Sequence, residues 1–372
     1  MEFKELFKGI DSLYVSYKGI LKEGLKELLE EKKKLAQSDS EREQALAVIT
    51  IEQHNFEVKD KGGGKYSYIL VDSWYQIQIS ASKKGIVPTV YVQIKSELLN
   101  CFGPYYSVYK LREIVDKLLI VIVEESISRA DIFVDFVTDM DLENIDKQSW
   151  VTMAKDTTKH WKGKVFTGLS IGMGGVIYAR LYDKTVEIEK SGKYYLKEFW
   201  DKMGWDKKQS VWRLEFQLKR EFLGQMSATK FSDILERIND IWRYCTCDWL
   251  RLAIDDKTIN RTRWKIYPLW EMIQQVRFME GVSMGIKREV DMARIPSDKT
   301  LFQNGVGYIT AFVAREGYDS LDEETIKKFL AQAKSYLKEK TFGNCEAYLE
   351  TKINLKKKRY NKVENKITDH TS

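Results

Sequence analysis

The chain has 372 residues, 43% of them hydrophobic and 12% aromatic, with only 4 prolines, which excludes a disordered protein and a small disulfide-stapled scaffold. At about 150 residues per domain it has room for two or three structural units. The formal charge of +6, from 61 Lys and Arg against 55 Asp and Glu, permits a polyanionic partner without demanding one. Cys101, Cys245, Cys247 and Cys345 lack zinc-ligand spacing and read as ordinary buried thiols. Met1 to Lys22 contains no apolar signal-like core, and no run of about 18 apolar residues occurs, so a cytoplasmic protein without membrane contact is expected.

In chain order, Ser12–Tyr17 alternates as a strand does, and Leu21–Leu35 follows as an amphipathic helix. Strands over Ala45–Phe56, Tyr66–Val71, Tyr75–Ser80 and Thr89–Ile94, separated by Gly62-Gly63-Gly64 and Lys83-Lys84-Gly85, suggest an antiparallel meander. A helix over Tyr109–Glu124, with Leu118–Val123 as its core face, leads to a strand at Ile127–Val137. A second helix over Leu142–Lys155 precedes strands Val165–Ile171 and Val176–Glu187. The glycine-rich Gly168–Gly175 lacks the Lys-Ser/Thr ending of a phosphate-binding loop and reads as a hairpin turn. A helix at Lys193–Met203 and a strand at Val211–Arg220 complete the pattern. From Lys230 the period becomes helical, with Phe231, Ile234, Leu235, Ile238, Ile241 and Trp242 on one face and breaks at Pro268 and Pro296.

The expectation is an α+β fold of antiparallel sheets with helices packed on one face, followed by a helical C-terminal region. Its parts are an α+β catalytic domain (1–225), a helical accessory region (226–350) and a basic flexible tail (351–372). Arg129-Ala130-Asp131 and Arg213-Leu214-Glu215 each follow a helix, which hints at an internal pseudo-duplication.

Residues two apart in a strand share a face. That rule gathers Arg129, Asp131, Phe133 and Asp135 in one strand. It gathers Tyr178, Arg180, Tyr182 and Lys184 in a second, and Arg213, Glu215, Gln217 and Lys219 in a third, each opposite an apolar face. If the strands share a sheet, one surface holds carboxylates, tyrosines and cations together. That set suits phosphodiester chemistry: carboxylates to bind a divalent metal, cations to offset transition-state charge, and a phenolate nucleophile favoured by Arg180 and Lys184. A plain solvated sheet face has the same pattern, since exposed antiparallel faces are polar and Arg–Asp pairs across strands are common.

Three segments in this order, Ile127-Ser128-Arg129-Ala130-Asp131-Ile132-Phe133-Val134-Asp135-Phe136, Ala179-Arg180-Leu181-Tyr182-Asp183-Lys184 and Val211-Trp212-Arg213-Leu214-Glu215-Phe216, resemble the signature segments of the replication initiation factor family. Gly9–Ser16 resembles that family's first strand, so the resemblance covers about residues 9–265. It implies a rolling-circle replication initiator that binds an origin hairpin, nicks one DNA strand through a covalent 5′-phosphotyrosine and later rejoins it. The related relaxases of conjugative elements use the same chemistry, and a non-catalytic DNA-binding regulator is the rival from another class. By motif the nucleophile falls on Tyr182, with Tyr178 on the same face left open. Arg180, Lys184 and Arg213 are its catalytic companions, Asp131 and Glu215 the metal ligands, and Asp135 either a third ligand or an ion-pair partner of Arg180 or Arg213.

With only His54, His160 and His370 and no His-x-His pair, a carboxylate-led site favouring Mg²⁺ or Mn²⁺ is expected. Arg129, Lys219, Arg261, Arg263 and Lys265 are the candidate DNA contacts. Lys356–Lys366 would add affinity by counterion release. Expected partners are DNA, a second copy of the chain and a host helicase.

Overall fold

The computed structural model describes residues 3–81, 87–278, 298–341 and 343–359. Its elements in order are β1 (Phe3–Leu21), α1 (Leu25–Ala36), α2 (Glu41–Gln44), β2 (Val48–Ile51), β3 (His54–Val58), β4 (Tyr68–Val71), β5 (Tyr75–Ile79), β6 (Val90–Ile94), α3 (Ser96–Phe102), α4 (Pro104–Leu118) and β7 (Leu119–Thr138). There follow β8 (Trp150–Thr152), β9 (Thr157–Lys162), β10 (Val165–Ile171), β11 (Ile177–Asp183), α5 (Lys184–Ser191), α6 (Tyr195–Lys202), β12 (Trp212–Lys219), α7 (Arg220–Gln225) and α8 (Phe231–Arg243). The chain continues through β13 (Leu250–Leu252), α9 (Pro268–Gln274), α10 (Asp298–Arg315), α11 (Glu323–Lys340) and α12 (Cys345–Arg359). The fold is α+β: a large antiparallel sheet with helices, then a helical C-terminal region.

The chain divides into two units. The first comprises Met1–Leu25, Gly63–Ile69 and Trp74–Arg288; the second, Lys26–Gly62, Leu70–Ser73 and Glu289–Ser372. Within the first, strands run in the order β5-β6-β1-β7-β12-β11-β10-β9, and β13 pairs separately with β8. Within the second, β2 and β3 form a hairpin and β3 pairs with Leu70 and Val71 at the end of β4, alongside α1, α2 and α10–α12. The expected tail is helical to Arg359 in α12, and the rest of it lies outside the described residues, as do Pro296 and His370.

Alternation builds the first unit's core. Leu214, Phe216 and Leu218 on β12 are buried, and Trp242 of α8 meets Phe216 edge-on at 5.4 Å. Each such side chain removed from water is worth roughly 1.5–3 kcal/mol, and α8 buries Ile234, Leu235, Ile238, Ile241 and Trp242.

Four expectations fail. The single strand foreseen over Ala45–Phe56 is the β2–β3 hairpin, with Ile51 opposite His54 at its turn. The helix foreseen over Tyr109–Glu124 ends at Leu118, and Leu119 onward is β7, paired with β1 from Leu119↔Leu21 to Thr138↔Phe3. The β-branched run Ile120-Val121-Ile122-Val123 carries stiff side chains that favour the extended chain, and Val121 and Val123 are exposed rather than core. The helix foreseen over Leu142–Lys155 is a loop with one 3₁₀ turn and β8. There the Asp141 carboxylate accepts from the Glu143 and Asn144 amides and Asp146 from Gln148, local bonds that compete with a helix. The strand foreseen to Glu187 stops at Asp183, whose side chain caps α5 at the Val186 amide, 3.1 Å. The short elements β9 and α3 have no distinctive periodicity in the sequence.

Gly168 permits a close approach between β10 and β11. It stands opposite Tyr182 in their register with φ +143°, and a Cβ there would meet Leu181 O at 2.2 Å and Tyr182 Cα at 2.7 Å. Both are backbone contacts that cannot yield cheaply. Gly168→Ala is expected to lower stability by about 1–3 kcal/mol, read from urea unfolding, and to cost more than Gly174→Ala, whose Cβ meets nothing within 4 Å. Equal losses would contradict the close approach.

Candidate active site

Three of the strands that the sequence singles out lie side by side, in the order β7-β12-β11, so their polar faces do form one surface. The register places Tyr182 opposite Arg213 and Arg213 opposite Asp135, with Arg180 opposite Glu215 in the next polar row and Gln217 opposite Asp131 in the one after. β1 extends the face on the far side of β7, with Ser12 opposite Asp131 and Tyr14 opposite Arg129. The helix α6 covers one end of it: Phe199 stacks on Phe7 at 4.7 Å and the Trp200 indole donates to Asp135 Oδ2 at 3.0 Å.

Arg213 is the buried hub. It has no exposed surface, forks onto Asp135 through Nε (2.6 Å) and Nη2 (2.8 Å), and reaches Asp11 through Nη1 (2.5 Å), while its guanidinium lies 3.7 Å from the Phe133 ring centroid. Asp11 stands at a bulge between Ile10 and Ser12, which turns it toward the cation. Burial opposes its charge, but the Arg213 and Lys193 charges prevail and hold its carboxyl well below the usual range. Asp11 was not foreseen; its signal is a lone acid breaking the polarity pattern of the first strand.

Asp135, expected as a metal ligand or a partner of Arg180 or Arg213, stands inside this ion pair. Both its oxygens are engaged by Arg213 and one also by Trp200. Arg213 in turn is sealed from solvent and stands opposite Tyr182 across the strand pair.

Tyr182 donates its phenolic proton to Glu215 Oε2 at 2.9 Å, and Lys184 Nζ stands 3.5 Å from the same phenol oxygen. Arg180 pairs with the other oxygen of Glu215 and lies 5.9 Å from the Tyr182 ring. The expectation that cations would favour the phenolate is reversed. Burial and the Glu215 carboxylate push the phenol well above its ordinary value, against the opposing pull of Arg213 and Arg180. At neutral pH it keeps its proton.

Lys184, although it has left the strand for the first turn of α5, is buried and bonded to Glu187. Burial and the charge of Arg213 lower its ammonium to about 8. Among the described residues the buried Nε of Arg180 finds no hydrogen-bond partner, a donor left over on the polar face.

Asp131 is buried and clasped by Arg129 through both oxygens, at 2.7 and 2.5 Å. Burial, with the charge of Glu215, outweighs Arg129 and moves its carboxyl up to about 7. Among the described residues no three His, Cys, Asp or Glu side chains group as a metal ion needs. Asp131 and Glu215 are the two carboxylates left, each already paired with a guanidinium. The side chains thus do not fit a carboxylate cage for Mg²⁺ or Mn²⁺.

The remaining candidates scatter. Lys219 lies on the polar face and bonds Gly174 O at 2.9 Å. Arg261, Arg263 and Lys265 lie in and after a 3₁₀ turn rather than on the sheet; Arg261 bonds the carbonyls of Gln148 and Trp150, while Arg263 and Lys265 are exposed. Tyr178 shares the face with Tyr182, and Arg180 lies 5.7 Å from its ring. His54 is buried in the second unit against Asp72, 2.7 Å. His160 bonds Ser170 at 2.8 Å.

The chain matches no protein-family model and no curated protein. Among solved structures it is similar to a rolling circle replication initiator protein from Geobacillus stearothermophilus. The identity is 15% over 75% of this chain and 99% of that one, with a TM-score of 0.42. So distant a likeness carries no argument about chemistry. Among the described residues no helix is long and apolar enough to cross a membrane.

Removing one partner of a buried ion pair strands the other charge and typically costs about 3–5 kcal/mol. Asp135→Ala and Arg213→Met should each lower unfolding free energy by that amount in urea titrations. A loss under about 1 kcal/mol would show that the hub does not hold the strands together.

Proposed function

We propose that the chain is a DNA strand-nicking and strand-closing enzyme that initiates rolling-circle replication, with Tyr182 as nucleophile. The observation that carries the reading is the Tyr182–Glu215 hydrogen bond of 2.9 Å, flanked by Arg180 and Lys184 on one sheet face. The ordered resemblance of the three strand segments to replication initiation factors supports it. A conjugative relaxase would run the same chemistry on a different recognition sequence.

A half-buried phenol held above its ordinary value is a poor nucleophile until something accepts its proton. Glu215 is the group already accepting that hydrogen bond, so it is assigned as general base rather than as a metal ligand. As the proton moves to Glu215, the phenolic oxygen bonds to phosphorus and the bond from phosphorus to the 3′ oxygen breaks. The departing oxygen takes a proton from solvent water and becomes the free 3′ hydroxyl. The product is a 5′-phosphotyrosine ester, and the reverse transfer reseals the strand with no outside energy source.

Lys184 and Arg180 oppose the charge that develops on the phenol and phosphate oxygens. The unpartnered Nε–H of Arg180 offers a donor to a phosphate oxygen. Arg213 and Asp135 are positioning residues that fix the strand row on which Tyr182 stands.

The test is nicking of labelled supercoiled DNA from the protein's own replicon, in Mg²⁺ and in EDTA. Wild type should give nicked circles carrying protein on the 5′ end. Tyr182→Phe should give none, Tyr178→Phe should cut normally, and Glu215→Gln should slow cutting by about 10²- to 10⁴-fold. Cutting by Tyr182→Phe at the wild-type rate would overturn the assignment.

A further inference from the structure

Away from the covered end, the same sheet face carries a row of side chains that the nicking chemistry does not use. Lys219 on β12 stands opposite Arg129 on β7, Arg129 opposite Tyr14 on β1, Tyr14 opposite Gln93 on β6, and Gln93 opposite Gln76 on β5. In the next row Ser16 stands opposite Tyr91, and Tyr91 opposite Gln78.

Three tyrosines cluster there. The Tyr14 and Tyr91 rings have centroids 5.8 Å apart, and Tyr66 stacks on Tyr91 at 5.7 Å with an interplanar angle of 22°. The Arg129 guanidinium lies 4.8 Å from the Tyr14 centroid. All four side chains are half-buried, so each keeps surface for a ligand. Burial raises all three phenols, Tyr91 to about 12, so they are neutral and add no charge against a polyanion.

We propose that Tyr14, Tyr91 and Tyr66, with Arg129, form a stacking platform for unpaired bases of a single DNA strand that continues out of the Tyr182 site. The inference rests on the reading of that site as one that acts on DNA.

Continuity supports it: Arg129 clasps Asp131 through both oxygens and also stacks on Tyr14, so the platform begins where the polar face around Glu215 ends. Chemistry supports it too. Aromatic rings and guanidinium planes stack on any base, which suits a strand held for cutting rather than read for sequence. The amides of Gln76, Gln78 and Gln93 add donors and acceptors for base edges. A paired duplex keeps its bases stacked on one another and offers such rings nothing, so the occupant is single-stranded.

The experiment measures fluorescence anisotropy of a labelled oligothymidylate strand and of a duplex of equal length, in EDTA, with the full chain. Tyr14→Ala and Tyr91→Ala should each weaken single-strand binding about tenfold, the loss expected when one base gives up an aromatic partner. Tyr14→Phe and Tyr91→Phe should bind like wild type, duplex affinity should not move, and circular dichroism should confirm folding of every variant. Alanine variants that bind the single strand as wild type does, or that lose single strand and duplex alike, would overturn the platform; so would a wild type that binds no single strand. Nicking by these proteins is scored separately, so failure of the Tyr182 chemistry is distinguishable from failure of the platform.

Discussion

A guanidinium sealed from water and shared by two carboxylates is the constraint on which the sheet depends. Arg213 ties β12 to β7 through Asp135 and to β1 through Asp11, so three adjacent strands are locked by one side chain. A slip of one residue in any of them would turn these charges into the apolar core and strand them there. Such a pair adds little net stability over a well-packed apolar substitute. Its effect is to make the wrong register expensive. Once the register is set, the positions of Glu215, two residues along β12, and of Tyr182, opposite Arg213 on β11, follow from strand geometry.

The chemistry follows from how little water reaches that row. Burial alone would make the Tyr182 phenol inert, and the Glu215 carboxylate at hydrogen-bond distance raises it further. The same carboxylate is the proton's nearest acceptor, so the group that suppresses ionisation in the resting protein is the one that permits it when an electrophile arrives. In the proposed reaction Arg180 and Lys184 would then offset a negative charge in transit rather than a standing phenolate. On this account the cations act late, on the transition state, where preorganised charge lowers a barrier most.

Much of this was legible in the strands and little of it in the loops and helices. Alternation at period two places Asp131, Tyr182 and Glu215 each on the polar face of its own strand, because each strand's other face is continuously apolar, and the order β7-β12-β11 joins those faces. The run Leu118–Val123 is ambiguous by periodicity alone, and Leu119 onward is resolved as strand only through its pairing with β1. The pairing of Asp135 with Arg213 is an alternative that the sequence leaves open, whereas its bond to Trp200 of α6, 65 residues away, and the bulge that turns Asp11 inward are not legible there. The sign of the Tyr182 shift was missed for a related reason. Neighbours in sequence are cations, whereas the group that touches the phenol is an acid 33 residues downstream. Gly168, opposite Tyr182 with its positive φ, looked like part of a turn and proved to be a strand residue whose missing side chain leaves room for the tyrosine's backbone.

The central claim is that one particular phenol bonds to phosphorus, and peptide mapping tests it most directly. The protein is incubated with its origin strand bearing a bridging sulfur at the scissile 3′ position, which cannot be resealed once cut, and the trapped adduct is digested and sequenced by mass spectrometry. The account predicts a nucleotide mass on Tyr182 alone. A modified Tyr178, Tyr14 or Tyr91 with an unmodified Tyr182 would contradict it.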